Sequence, residues 1–117
     1  MRLEHLLEIG ARRAPNAVAA WESTGEHISY GELNQFADDV AATLAARGVG
    51  PGDRVGLSTP KQIAALAGVF GAMKAGGAYV PVDYSAPPAR NGYIFNDCAV
   101  RAIIVERARA ESLRAEL

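Results

Sequence analysis

The sequence predicts an α/β fold in which repeated strand–helix units build a parallel sheet behind a small β-hairpin. Three observations carry this. From Arg54 onward, short apolar runs and helical patterns alternate as strand, helix, strand, helix, strand, helix. Parallel strands joined by right-handed crossovers produce that rhythm. Ahead of it, apolar stretches at 17–21 and 27–28 flank the turn Ser23-Thr24-Gly25, as in a hairpin. Between the two regions, Ser29 and Glu32 stand at capping-box spacing before a run with one apolar face, the mark of a helix start.

Leu3, Leu6, Leu7 and Ala11 share one helical face, so a helix is expected over 3–14. Pro15 ends it, because a proline pushes the preceding residue out of the α region. After the hairpin, Leu33, Phe36, Ala37, Val40, Ala41 and Leu44 form one stripe at i, i+3, i+4 spacing. Gly48 suits a left-handed stop, and Gly50-Pro51-Gly52-Asp53 is a turn cluster. A strand follows over 54–57. A helix over 60–75 comes next, with Thr59 as N-cap, Pro60 at its first position, Lys61 behind it and Gln62 completing a capping box. This helix carries Ala and Gly on most sides, which predicts close packing on several neighbours. Gly76-Gly77 stops it, and an extended stretch over 78–82 follows. Beyond Pro87-Pro88 the pattern gives a helix over 89–97, a buried strand over 102–105 and a last helix over 107–117. The expected organisation is one structural unit over 1–117, with helix–hairpin–helix to about residue 53 and βα units over 54–117. The rhythm stops without a flexible tail, which points to a larger structure.

Half of the 117 residues are apolar and 21% are charged, a globular composition rather than a disordered one. A net charge of −1 gives no electrostatic footprint for nucleic acid or an anionic membrane. No apolar run reaches the roughly 18 residues of a membrane span. Met1-Arg2-Leu3-Glu4-His5 lacks the apolar core of a secretion signal. With Cys98 the single cysteine, no disulfide forms within the chain, and a reducing cytoplasmic setting is expected.

Chemistry-bearing residues are sparse. His5 and His27 stand apart from any partner at metal-ligand spacing and read as surface histidines. Cys98 reads as a small buried apolar side chain. The glycines of 48–52 precede a strand, whereas phosphate loops follow a strand and open a helix. The 71–77 glycines lack the closing Gly-Lys-Ser/Thr of a phosphate loop. Asp38 and Asp39 are neighbours on a helix, about 100° apart, and read as a solvated face rather than a paired acid–base site.

Longer words say more. Ile28-Ser29-Tyr30-Gly31-Glu32-Leu33-Asn34 resembles the first core motif of nonribosomal peptide synthetase adenylation domains, L-[TS]-Y-x-E-L. Met73-Lys74-Ala75-Gly76-Gly77-Ala78-Tyr79-Val80-Pro81-Val82-Asp83 resembles the second, L-K-A-G-x-A-Y-[VL]-P-[LI]-D. Residues 47–57 between them resemble the family stretch G-V-x-P-G-D-x-V-G-L, and Ala14-Pro15-Asn16-Ala17-Val18-Ala19 resembles its opening. The resemblance covers the whole chain. Within the wider adenylate-forming superfamily of acyl-CoA synthetases, luciferases and adenylation domains, the Ala-Tyr-Val-Pro form favours the amino-acid-activating branch. After Asp83 the family pattern D-P-x-Y-P-x-E-R is met only at Asp83, Pro87 and Arg90, with Tyr84 in place of the first proline and Ala86 in place of the tyrosine.

The resemblance implies an enzyme that forms an acyl-adenylate from ATP, with Mg, and hands the acyl group to a carrier-protein thiol. It implies structural roles for Ser29, Tyr30, Glu32, Leu33, Lys74, Ala75, Gly76, Gly77, Tyr79, Pro81 and Asp83. The family's phosphate loop, adenine and ribose contacts and catalytic lysine fall beyond the region covered, so no catalytic, cofactor-binding or metal-binding residue is expected in this chain. The expected partner is the remainder of the adenylation domain. The alternative is a non-catalytic binding or regulatory domain that keeps only the fold.

Overall fold

A computed structural model describes residues 2–60 and 62–117. Ten elements follow in order: α1 (Leu3–Arg13), β1 (Val18–Trp21), β2 (His27–Ser29), α2 (Tyr30–Ala46), β3 (Arg54–Ser58), α3 (Gln62–Lys74), β4 (Ala78–Pro81), α4 (Pro88–Asp97), β5 (Ala102–Val105) and α5 (Arg107–Arg114). β1 and β2 pair antiparallel, and β4-β3-β5 form a parallel sheet with β3 in the middle.

The helix ends follow the sequence signals. Ser29 Oγ accepts the Glu32 N–H at 3.1 Å while Glu32 Oε1 accepts the Ser29 N–H at 3.0 Å, a complete capping box. Two of the four orphan donors at the start of α2 are engaged in this way. Gly48 and Gly76 adopt φ of +90° and +87° at the ends of α2 and α3, a region closed to most side chains. The start expected for α3 includes Lys61, which lies outside the described residues, as does Met1 of the N-terminal reading. At Ile63 the hairpin supplies the cap, with Glu22 Oε1 accepting the Ile63 N–H at 3.2 Å.

β3 is buried from Val55 to Ser58, and its two faces meet different helices, as the alternation of side chains requires. Val55 joins Leu44, Val49 and Ala72 in one core cluster. On the other face Gly56 lies under Phe95, whose Cε1 would be 2.6 Å from a Cβ there. α2 and α3 therefore cover one side of the sheet and α4 the other. A second cluster (Leu7, Leu33, Ala37 and Ala67) joins α1 to α2 and α3, with Ala19 and Ile28 of the hairpin packed on it.

Three expectations are corrected. β5 is half-buried along its whole length, because it pairs with β3 alone and stands at the sheet edge. Cys98 is half-buried at the C-cap of α4. The last helix ends at Arg114 rather than Leu117, in a tail packed so tightly on α4 that a Cβ on Gly92 would meet Glu116 Cβ at 2.6 Å.

Candidate functional site

Ligands of open α/β sheets collect at the carboxyl ends of the strands, where the strand order reverses. Here that point lies between β3 and β5. It is filled by the chain's own side chains. Glu106 N–H donates to Ser58 O at 3.2 Å and Val82 N–H to Leu57 O at 3.1 Å, drawing both following loops against β3. The Tyr84 hydroxyl donates to Glu106 Oε2. Arg109 Nη2 donates to Tyr84 O at 2.7 Å and Ala86 O at 3.0 Å, with its guanidinium 4.8 Å from the Tyr84 ring centroid. The hydrogen bond to Glu106, with desolvation behind it, pushes the Tyr84 phenol above its usual value. The family departure at Tyr84 thus builds a strap that ties the 82–87 loop to α5.

Asp83 closes its own turn, its Oδ1 accepting Ser85 Oγ–H at 2.7 Å and Ser85 N–H at 2.9 Å. These donors hold its carboxyl below the usual range. Asn91 Nδ2 donates to Asp83 O at 3.0 Å, while its buried Oδ1 has no partner among the described residues.

Lys74 sits at a second polar centre. Its side chain is 8% exposed, and Nζ lies 2.7 Å from Asp38 Oδ1, 2.8 Å from Asn34 Oδ1 and 3.3 Å from Glu8 Oε1. One ammonium therefore joins α1, α2 and α3. Asp38 and Asp39 are exposed, as a solvated face requires, and Asp38 in addition pairs with Lys74 while Asp39 accepts from Gln35 Nε2 at 2.9 Å. Sequence spacing gave no sign of this centre, because its members lie 36 to 66 residues from Lys74.

The remaining motif residues have local backbone tasks. Tyr30 N–H donates to Ala17 O and its ring covers Gly10, where a Cβ would meet Cδ1 at 2.9 Å. Leu33 is core. Ala75 N–H continues α3 to Gly71 O, and Gly77 passes the backbone of Asp53 so closely that a Cβ would be 2.9 Å from its carbonyl. Tyr79 is partly exposed, and Pro81 is the last residue of β4. His5 is exposed, and His27 lies with its ring centroid 4.6 Å from that of Trp21.

The glycine turns do not fit a nucleotide phosphate. Their amides are already engaged: Gly48 with Ala45 O, Gly50 with Asp53 Oδ2, Gly52 with Gly76 O, Gly76 with Met73 O and Gly77 with Ala72 O, all between 2.8 and 3.0 Å. Among the described residues no group of three His, Cys, Asp or Glu side chains is placed to hold a metal ion. What the arrangement does chemically is to brace helices and loops.

Comparison with known proteins agrees along the chain. The family described as AMP-binding enzyme matches residues 7–117. Tyrocidine synthase 3 of Brevibacillus parabrevis is 39% identical over 105 residues, covering 90% of this chain and 2% of that protein. The antimetabolite synthetase AmbB of Pseudomonas aeruginosa is 34% identical over 113 residues, 97% of this chain and 9% of its own length. Among solved structures, the nonribosomal peptide synthetase FmoA3, bound to alpha-methyl-L-serine-AMP, superposes with a TM-score of 0.89 at 33% identity over 97% of this chain and 13% of its own. The N-terminal domain of FACL13 from Mycobacterium tuberculosis gives 0.87 at 27% identity, over 98% and 30%. The chain thus spans a small part of each protein it matches.

Proposed function

The chain belongs to the AMP-binding enzyme family, and we propose that it is the N-terminal part of an adenylating enzyme that activates an amino acid, or a related carboxylic acid, as its acyl-adenylate. The acyl group then passes to a carrier-protein thiol. The observation that supports this reading is agreement along the whole chain with peptide synthetases, carried by the words at 28–34 and 73–83. ATP and Mg are held by the remainder of the adenylation domain, since the glycine amides of this chain are engaged internally. The setting is cytoplasmic; no helix among the described residues is long and apolar enough to cross a membrane.

On this reading the chain is scaffold. Ser29, Tyr30, Glu32 and Leu33 fix the start of α2. Lys74 to Asp83 fix how α3 turns into β4 and how β4 leaves the sheet. The helix–hairpin–helix part to about residue 53 and the βα units of 54–117 act as one unit, because α3 packs on α2 across that division. The 117-residue chain alone is expected to give no amino-acid-dependent ATP–pyrophosphate exchange, and to restore exchange when combined with the rest of its adenylation domain. A folded remainder that gains no exchange from the chain sinks the reading.

A further inference from the structure

Of the five helices, α5 is the least able to hold itself. It has eight residues, short of the roughly 12–15 at which an isolated helix becomes even marginal in water. Glu106 occupies its N-cap position, yet no side chain caps the first-turn amides, and that turn carries Arg107 and Arg109 with no acid. Cations there oppose the helix dipole. Leu113 is its one buried residue, and α4 is its main packing partner. Contacts from outside the helix therefore keep it in place.

Those contacts sit at its two ends. At the first, the Glu106 carboxylate accepts from the Tyr84 hydroxyl instead of capping its own helix, and Arg109 Nη2 donates to the carbonyls of Tyr84 and Ala86. At the last, Asn96 Nδ2 donates to Glu116 O at 3.2 Å. The loop and the helix also leave β3 by matching bonds, Val82 N–H to Leu57 O and Glu106 N–H to Ser58 O. Consecutive carbonyls of one strand thus hold the roots of both segments. Between α5, α4 and β5, the side chains of Phe95, Ile103, Val105, Ala110 and Leu113 line a groove of about 410 Å³.

We propose that α5 is a flap over the α4 side of the sheet, that Tyr84, Glu106 and Arg109 are its latch, and that the flap and the 82–87 loop open together as one unit. Opening withdraws Leu113 from the groove and turns Phe95 and Ile103 towards solvent. Closure needs the Tyr84 hydroxyl. Local opening of this kind draws on the least stable parts of a fold, and α5 has few bonds of its own to lose. The latch belongs to this sequence, since Tyr84 stands where the family word has a proline, and proline carries no hydroxyl. The flap stands whether or not the chain is part of an adenylating enzyme.

Amide hydrogen exchange of the 117-residue chain tests it. Tyr84→Phe keeps the ring beside Arg109 and removes only the hydroxyl. Exchange at Val82, at Glu106 and along α5 should rise together by about tenfold, while α2 and α3 keep their wild-type rates. Leu113→Ala loosens α5 at its far end, away from the loop. It should nevertheless speed exchange at Val82 as well as in α5, because the two segments open as one. If Tyr84→Phe leaves α5 at its wild-type rate, or if α5 speeds up in either variant and Val82 does not, the flap is not latched to the loop and the proposal falls. A Tyr84→Phe rise spread equally over α2 and α3 overturns it too, since the strap would then hold the whole fold rather than a flap.

Discussion

Between α2 and α3 the backbones approach with no slack: a Cβ on Gly71 would stand 2.5 Å from Val40 Cγ1 and 3.1 Å from Ala37 O. Ala37, Ala67 and Ala72 are fully buried there. At β5, by contrast, Ala102 to Val105 all remain half-exposed, although Ile-Ile-Val is more apolar than the Ala and Gly of α3. The difference teaches that burial here follows neighbours rather than hydropathy. Small residues on α3 let two helices and a strand close around it. β5 has a partner on one side only.

The largest expected break is on the sealed side. Gly71→Val should cost ~2–3 kcal/mol by overpacking, against the smaller helix-propensity gain of losing a glycine. Urea unfolding reads this, and Val40→Ala in the same chain should recover part of the loss. Full tolerance of Gly71→Val would mean that the helices are not in contact at that point. Lys74→Met comes next, at ~1–2 kcal/mol, because it leaves Glu8 and Asp38 without their shared cation. Those carboxylates are 38% and 49% exposed, so the loss should shrink in high salt, and a salt-independent loss would point to packing instead.

Ser29→Ala should cost ~1 kcal/mol through the cap, read as a lower thermal midpoint. Its partner gives a pH signature. The Ser29 backbone N–H and hydroxyl hold the Glu32 carboxyl below its usual range, so its contribution is complete above the ordinary carboxylate pKa and is lost as pH falls through the lowered value. Glu32→Gln should therefore flatten the acid limb of the thermal midpoint below about pH 5. An unchanged limb would remove the cap from the acid response. The smallest effect is expected at the open edge: Ile103→Lys should change the stability of the isolated chain by no more than ~0.5 kcal/mol. A loss comparable to that of Gly71→Val would show that β5 is already sealed and erase the contrast.

Much of this was legible in the residues. The capping box at Ser29 and Glu32, the prolines at 15 and 88 and the left-handed glycines at 48 and 76 mark element ends through local geometry, and the helix and strand boundaries follow them to within a few residues. Contacts between distant segments were not legible. Nothing near Lys74 in sequence announces Glu8 or Asp38, and nothing near Ile63 announces Glu22. Tyr84 was visible as a departure from a family word, but its bond to Glu106 and the hold of Arg109 on its carbonyl needed the loop and α5 side by side.

The sequence by itself determined the α/β rhythm, the hairpin, the helix ends and the family, because each rests on residues within a few positions of one another or on ordered words. Only the tertiary structure decided which apolar strand is sealed, which stands at the sheet edge and which charges meet. Those outcomes depend on strand order, and one half-paired strand such as β5 reads the same in sequence as a buried one.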